Sequence, residues 1–277
     1  MKGGTTAHVM VRNEGRWLWF SIMSVIEHVD HLIICDTGSI DRTKKCIDWF
    51  CARPEYRDKI TSLYLDDVPP SCLSSIRQMM IEETKTEWFL VLDGDEIWFQ
   101  SSIKEFVRTT KEVECSMIAV PFINIVGDVF SRQKSDREYY NIGGITGAIT
   151  VKGFRVSIDG LHCNGEYGVE GYFDVNHLPA QDRSEDIAFI DGPFLHASNT
   201  ARSSSVIGDL LISYRRKKIA APIDYRVTDD PANFPEVFYA DRPTFVPDPF
   251  RRPLMYDMMR FVWSTLRAAH SRVRLRA

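Results

Sequence analysis

The stretch Trp88-Phe89-Leu90-Val91-Leu92-Asp93-Gly94-Asp95-Glu96 runs from uninterrupted apolar side chains straight into carboxylates. A short apolar run bounded by Gly and acids reads as a buried strand, here over residues 87–92. Strands without polar alternation belong to parallel sheets covered by helices on both faces. The upstream sequence repeats the unit. Residues 6–11 read as a strand, Arg12-Asn13-Glu14-Gly15 as a polar turn, and 17–28 as a helix. Residues 31–35 form a second apolar strand that stops at Asp36-Thr37-Gly38-Ser39, with a helix over 41–51. A third strand over 60–65 and a helix over 71–84 lead into the stretch quoted first. Repeated strand–helix units specify an α/β fold with a mostly parallel sheet. Ligands in such sheets bind beyond the carboxyl ends of the strands, where positions 12–14, 36–41 and 93–96 fall.

Downstream of residue 115 the alternation weakens. Residues 117–126 read as a strand, and a Gly- and Asp-rich stretch continues to about 192. Prolines crowd 222–253, which reads as a linker or a surface wrap. In segment 254–269, Leu254, Met258, Phe261, Val262, Leu266 and Ala269 share one helical face. From 251 to 277 seven arginines face one acid, Asp257. The expected organisation is a domain over 1–221, divided into a nucleotide-binding half (1–115) and an acceptor half (116–221). Residues 222–277 add a Pro-rich linker and a basic amphipathic helix.

A chain of 277 residues with 44% hydrophobic and 26% charged residues can bury a full core, which excludes global disorder. A net charge of −4 provides no overall field for nucleic acid, so none is expected as a partner. The cysteines, Cys35, Cys46, Cys51, Cys72, Cys115 and Cys163, have no zinc-type spacing and read as reduced thiols. No signal-peptide pattern or membrane-spanning run is present, so a cytoplasmic location is expected. The basic C-terminal helix suits peripheral contact with an anionic membrane face, or packs on the domain with a frayed tail.

Two carboxylates set two positions apart at a strand end can hold a hard cation, Mn2+ or Mg2+, which in turn neutralises a diphosphate. A solvated acidic turn is the plainer alternative. Asp36 at its strand tip can accept hydrogen bonds from a ribose or a base, while Asp41 or Ser39 suits a helix cap.

Val11-Arg12-Asn13-Glu14, Asp36-Thr37-Gly38-Ser39-Ile40-Asp41-Arg42-Thr43 and Asp93-Gly94-Asp95-Glu96, in this order, resemble the family-2 glycosyltransferases and their GT-A relatives. The resemblance covers about residues 6–98. It implies a GT-A-type, Rossmann-like sheet flanked by helices and a nucleoside-diphosphate sugar as donor. It also implies transfer to a hydroxyl on a saccharide or lipid-linked acceptor, with inversion. It places Asp36 on the nucleotide base and Arg77, in Ser74-Ser75-Ile76-Arg77-Gln78, near the diphosphate. Val11, Arg12, Glu14, Asp93 and Gly94 would line the donor site, with Asp93 and Asp95 as metal ligands. Two departures stand out: Met10-Val11-Arg12 replaces the usual Pro-Thr-Tyr, and Thr37 replaces a second acid.

Gly192-Pro193-Phe194-Leu195-His196-Ala197-Ser198 is similar to the late strand whose histidine completes the metal shell, which makes His196 a candidate ligand beside the reading of a structural histidine. Inverting transfer also needs a general base. Asp182, Glu185 and Asp186 in Gln181-Asp182-Arg183-Ser184-Glu185-Asp186 are similar to the family's acidic base segment; a charged surface loop is the alternative. His162, Glu166, Glu170 and His177 are further candidates. Two rival readings are a sugar-phosphate nucleotidyltransferase, for which Arg12–Gly15 is a poor phosphate loop, and a catalytically silent GT-A-like glycan-binding or scaffold domain.

Overall fold

In the computed structural model the structure describes residues 2–137, 140–165, 170–212, 215, 218 and 221–252. The expected basic helix over 254–277, and Glu166, lie outside these residues. The first half follows the predicted alternation: β1 Lys2–Val11, α1 Leu18–Val25, β2 His31–Asp36, α2 Thr43–Cys51, β3 Ile60–Tyr64, α3 Leu73–Glu83 and β4 Thr86–Val91. The second half begins with β5 Glu96–Trp98, α4 Gln100–Glu112, β6 Met117–Val126, β7 Asp128–Arg132, β8 Tyr140–Ile142 and β9 Ile145–Gly147. It continues through β10 Ile149–Arg155, β11 His162–Asn164, β12 Gly171–Phe173, β13 Ile187–Phe189 and β14 Phe194–Asn199 to α5 Val206–Leu211 and β15 Tyr225–Arg226. Most strands between β7 and β14 are too short to carry a visible sequence period, hence the weak alternation there.

The main sheet runs β3-β2-β1-β4-β10-β6-β7-β15. Its core β3-β2-β1-β4 is parallel, whereas β10 is antiparallel to both β4 and β6. Both faces of the parallel core are covered, which is why β2 and β4 are buried along most of their length. Leu32 and Ile34 join one apolar cluster with Phe20, Ile47 and Phe106 from α1, α2 and α4. Ile33 and Cys35 join another with Leu73, Ile76 and Met80, the inward stripe of α3. Beyond β4, β14 runs parallel to β6 and antiparallel to β5, so His196 lies opposite Glu96. That pairing returns the late strand to the carboxylate turn.

Residues 222–252 are not a detached linker. Phe234 and Phe238 are buried in the main cluster, Phe238 only 1% exposed, and β15 pairs with β7. Phe238 packs edge-on against Phe20 at 5.3 Å and lies 6.2 Å from Trp17. The segment covers the outer side of α1, whose residues are apolar all round and need a partner there. No helix among the described residues is long and apolar enough to cross a membrane.

Candidate active site

The carboxylate turn is clamped against the end of β1. Leu92 N–H donates to His8 O at 3.0 Å, Glu96 N–H to Asp93 O at 3.1 Å, and Ser21 Oγ to Asp93 O at 3.0 Å. A Cβ at Gly94 would meet Glu14 Cγ at 2.7 Å and Val11 Cγ1 at 2.9 Å, so only glycine passes between them. The Val11 carbonyl in turn accepts from Thr37 N–H at 2.9 Å and Thr37 Oγ1 at 3.0 Å. These bonds bring the carboxyl ends of β1, β2 and β4 to one edge of the sheet.

At that edge the two aspartates differ. The Asp93 side chain is 35% exposed, with Arg77 Nη2 at 3.5 Å and Lys152 Nζ at 3.6 Å. Burial would raise its carboxyl, yet the charges of Lys152 and Arg77, with Arg202 and His196, hold it far below the usual carboxylate range. Asp95 is buried, and neither of its oxygens receives a hydrogen bond. Its charge faces Arg202 Nη2 at 3.1 Å from Oδ1 and His196 Nε2 at 3.6 Å from Oδ2. Burial lowers the His196 imidazole to about 4, against the pull of Asp95, so it is neutral at pH 7. Arg77 is also buried, and its Nε and Nη1 make no hydrogen bond, although Glu170 Oε1 lies 3.8 Å from Nε.

The loops after β1 and β2 interlock beside this edge. Burial raises the Asp36 carboxyl, while its Oδ1 accepts from Ser39 N–H at 2.9 Å. Asn13, at φ 55°, donates its N–H to Ser39 Oγ at 2.8 Å and accepts from Ile40 N–H at 2.8 Å. Gly38 has φ +101°, and a Cβ there would lie 2.6 Å from Asp67 N. Arg12 donates to Val68 O at 3.0 Å and pairs with Asp67. Asp41 lies one residue before the N-cap Arg42 of α2, with Oδ1 accepting from Thr43 N–H at 2.9 Å, and its Oδ2 binds the 203–204 loop as well.

Glu14 was expected to line the nucleoside pocket, but it is buried in a pair of ion pairs. Arg202 donates through Nε at 3.0 Å, and Arg215 through Nη2 at 2.5 Å. Burial pushes its carboxyl up to about 7 against the pull of both arginines. Its visible role is to hold the 202–215 segment.

The structure does not bring Asp182, Glu185 and Asp186 to the carboxylate turn. Asp186 Oδ1 accepts from Ser116 N–H at 2.7 Å, and its Oδ2 pairs with Arg183 at 2.7 Å. Ser116 O accepts from Arg155 N–H, and Arg155 pairs with Trp88, five residues before Asp93. At about 3.3 Å per residue that is roughly 16 Å of strand. Asp182 and Glu185 are exposed on the same segment. Asp186 anchors the start of β13, which joins β6 at its first residues. Of the further candidates among the described residues, Glu170 is placed beside Arg77. His162 and His177 pair with each other instead, Nε2 to Nδ1 at 3.3 Å.

Sequence reasoning missed Lys152, Arg202 and Arg215. Lys152, on β10, is a buried lysine in a strand, and Arg202 follows His196 by six residues. A buried cation demands an acidic partner, and the carboxylate turn supplies it. Asp93, Asp95 and His196 could hold a metal, although no group of three or more His, Cys, Asp or Glu is already gathered around one point among the described residues.

Residues 6–165 match glycosyl transferase family 2. The chain belongs to that family. Its fold is the α/β GT-A type implied by the resemblance, with parallel core strands flanked by helices. Solved structures similar to this family 2 chain include the 1–349 form of S. aureus TarS in complex with UDP-GlcNAc, 12% identical with a TM-score of 0.48 over 84% of this chain and 69% of that one. A longer S. aureus TarS structure is 12% identical with a TM-score of 0.45; this chain spans only 37% of its length, the match covering 71% of this chain. The mannosyltransferase PcManGT from Pyrobaculum calidifontis, in complex with GDP-Man and Mn2+, is 12% identical with a TM-score of 0.38 over 56% of this chain and 45% of that one. Comparison with curated protein sequences yields no match.

Proposed function

We propose that this family 2 glycosyl transferase moves a sugar from a nucleoside diphosphate to a hydroxyl of a saccharide or lipid-linked acceptor, with inversion and with Mn2+ or Mg2+ at Asp95, Asp93 and His196. One observation carries the metal reading: Asp95 is 1% exposed, yet both its oxygens lack a hydrogen-bond donor. Arg202 Nη2 meets its charge at 3.1 Å without a hydrogen bond, so lone pairs on both oxygens are left for a metal cation. The neutral imidazole of His196 beside it, and the half-exposed carboxylate of Asp93, complete a donor set suited to Mn2+ or Mg2+. When bound there, the ion supplies Lewis-acid stabilisation to the diphosphate leaving group.

The chain's own residues do the rest. Asp36 accepts hydrogen bonds from the base or ribose, and the backbone of Val11, Arg12 and Gly94 forms the adjoining wall. Arg77 presents unpartnered N–H groups to the diphosphate, and with Lys152 it holds Asp93 ionised. We place the proton acceptor at Glu170: it takes the acceptor hydroxyl's proton as that oxygen bonds the anomeric carbon and the diphosphate departs. Residues 1–115 are then the nucleotide half and 116–221 the acceptor half, and the basic 254–277 segment suits the membrane face that would carry a lipid-linked acceptor.

A panel of nucleotide sugars hydrolysed with Mn2+ and with EDTA tests this without a known acceptor. The expected result is slow, EDTA-sensitive release of one nucleoside diphosphate that is lost in Asp95→Asn. If no donor is hydrolysed and no nucleotide raises the melting temperature, the reading fails.

A further inference from the structure

Arg202 joins two buried acids that belong to different parts of the site. Its Nη2 lies 3.1 Å from Asp95 Oδ1, while its Nε and Nη2 grip Glu14. Its main chain is fixed as well: Arg202 N–H donates to Asp209 Oδ2 at 3.1 Å, and its carbonyl accepts from Arg16 N–H at 3.0 Å. The segment that follows is attached by polar contacts. On α5, Gly208 and Asp209 face inward, whereas Ile207, Leu210 and Leu211 are 66%, 38% and 64% exposed. Ser203 and Ser204 bind Asp41, and Arg215 binds Glu14 and Asp209.

A guanidinium and a divalent ion cannot share one carboxylate without strong repulsion between their charges. We infer that Arg202 is a positioning residue that competes with the divalent ion for Asp95, neutralising that acid in the free protein and withdrawing from it when the ion binds. Glu14 keeps the displaced guanidinium at the edge of the site, where it faces the incoming diphosphate. This inference rests on the reading of Asp95 as a metal ligand. The contact makes ion binding weak in the free protein and stronger once a diphosphate is present to receive Arg202, a reciprocal coupling between the two ligands.

The test is Mn2+ binding to the full chain without nucleotide, followed by the electron paramagnetic resonance signal of free Mn2+. Proteins compared are the wild type, Arg202→Gln, Asp95→Asn and the double variant Glu14→Gln/Arg202→Gln. The double variant removes both charges of the Glu14–Arg202 pair together, which spares Glu14 the loss of a partner if the single variant folds poorly, while Arg215 keeps Asp209. Expected are about tenfold or tighter Mn2+ binding in Arg202→Gln and in the double variant, and loss of binding in Asp95→Asn. Unchanged or weaker binding in both Arg202 variants, with Asp95→Asn still inactive in binding, overturns the competition and leaves the metal reading standing. Mn2+ binding indifferent to Asp95→Asn, or absent from every protein, overturns the metal reading and this inference with it.

Discussion

Lys152 Nζ lies 2.5 Å from Glu96 Oε1, and both side chains are almost wholly out of water. The pair ties β10 to the residue immediately after the Asp93-Gly94-Asp95 turn. Lys152 also reaches Asp93, so one ammonium serves a buried structural acid and an exposed candidate ligand. Burial raises the Glu96 carboxyl, and the charge of that ammonium opposes the rise.

Lys152→Met should therefore cost about 3–5 kcal/mol, because removing one partner leaves an uncompensated buried acid. Urea unfolding measures the loss. The double variant Lys152→Met/Glu96→Leu should recover most of it, since no buried charge remains. A single variant as stable as the wild type would mean that the pair contributes nothing to the fold.

Nucleotide binding should weaken at least about tenfold in Asp36→Asn and in Arg77→Lys. Asn keeps the size of Asp36 and loses the charged acceptor. Lys keeps the charge beside Asp93 but loses the fork of N–H groups, two of which make no hydrogen bond within the protein. Calorimetric titration with UDP and GDP reads the change, and circular dichroism checks that both variants fold. Wild-type affinity in both would remove these residues from the donor site.

Stability should fall as pH drops from about 6.5 towards 3, in part because of His8. Its Nε2 lies 2.6 Å from Thr84 Oγ1, whose own proton goes to Met80 O, so Nε2 carries the hydrogen and donates. Nδ1 is buried without a partner, and burial, helped by the Arg77 charge, lowers the imidazole to about 3. Between those pH values the unfolded chain binds a proton that the folded chain refuses, so stability rises with pH. The slope from one such group approaches about 1.4 kcal/mol per pH unit. His8→Phe keeps the stacking on Phe89 at 4.4 Å and should flatten the profile by that amount. An unchanged profile would assign the acid sensitivity elsewhere.

The parallel half was readable because β2 and β4 are apolar runs ending on polar turns and each helix carries a local spacing. The expectation for Asp36, Asp93 and Asp95 rests on their places at strand tips together with the family resemblance. Lys152, Arg202 and Arg215 were not, since their partners lie far off in sequence and no local period connects them. Phe234 and Phe238 were hidden by the prolines around them, whose extended segments have no helical or strand spacing. The acidic run at 182–186 was misplaced for another reason. Its position depends on which end of β6 receives β13, and strand register across a sheet leaves no trace in a short charged segment.

That misplacement sets the final comparison. Asp186 is committed to Ser116 N–H and Arg183, so Asp186→Asn should keep turnover within about twofold of wild type and register only as lost stability. Glu170 stands beside Arg77 and hence near Asp93. Glu170→Gln keeps the shape and removes the proton acceptor, and transfer to an acceptor should drop by about 10²-fold or more. Slow hydrolysis of the donor is the control, because damage to donor binding through Arg77 would raise KM for both reactions. A base acts in the transition state and lowers kcat with little change in donor KM. A fall in turnover with Asp186→Asn at unaltered stability would return the base to the acidic run. A Glu170→Gln enzyme with wild-type transfer would release Glu170 from the role, leaving its contact with Arg77 as a brace for the donor site.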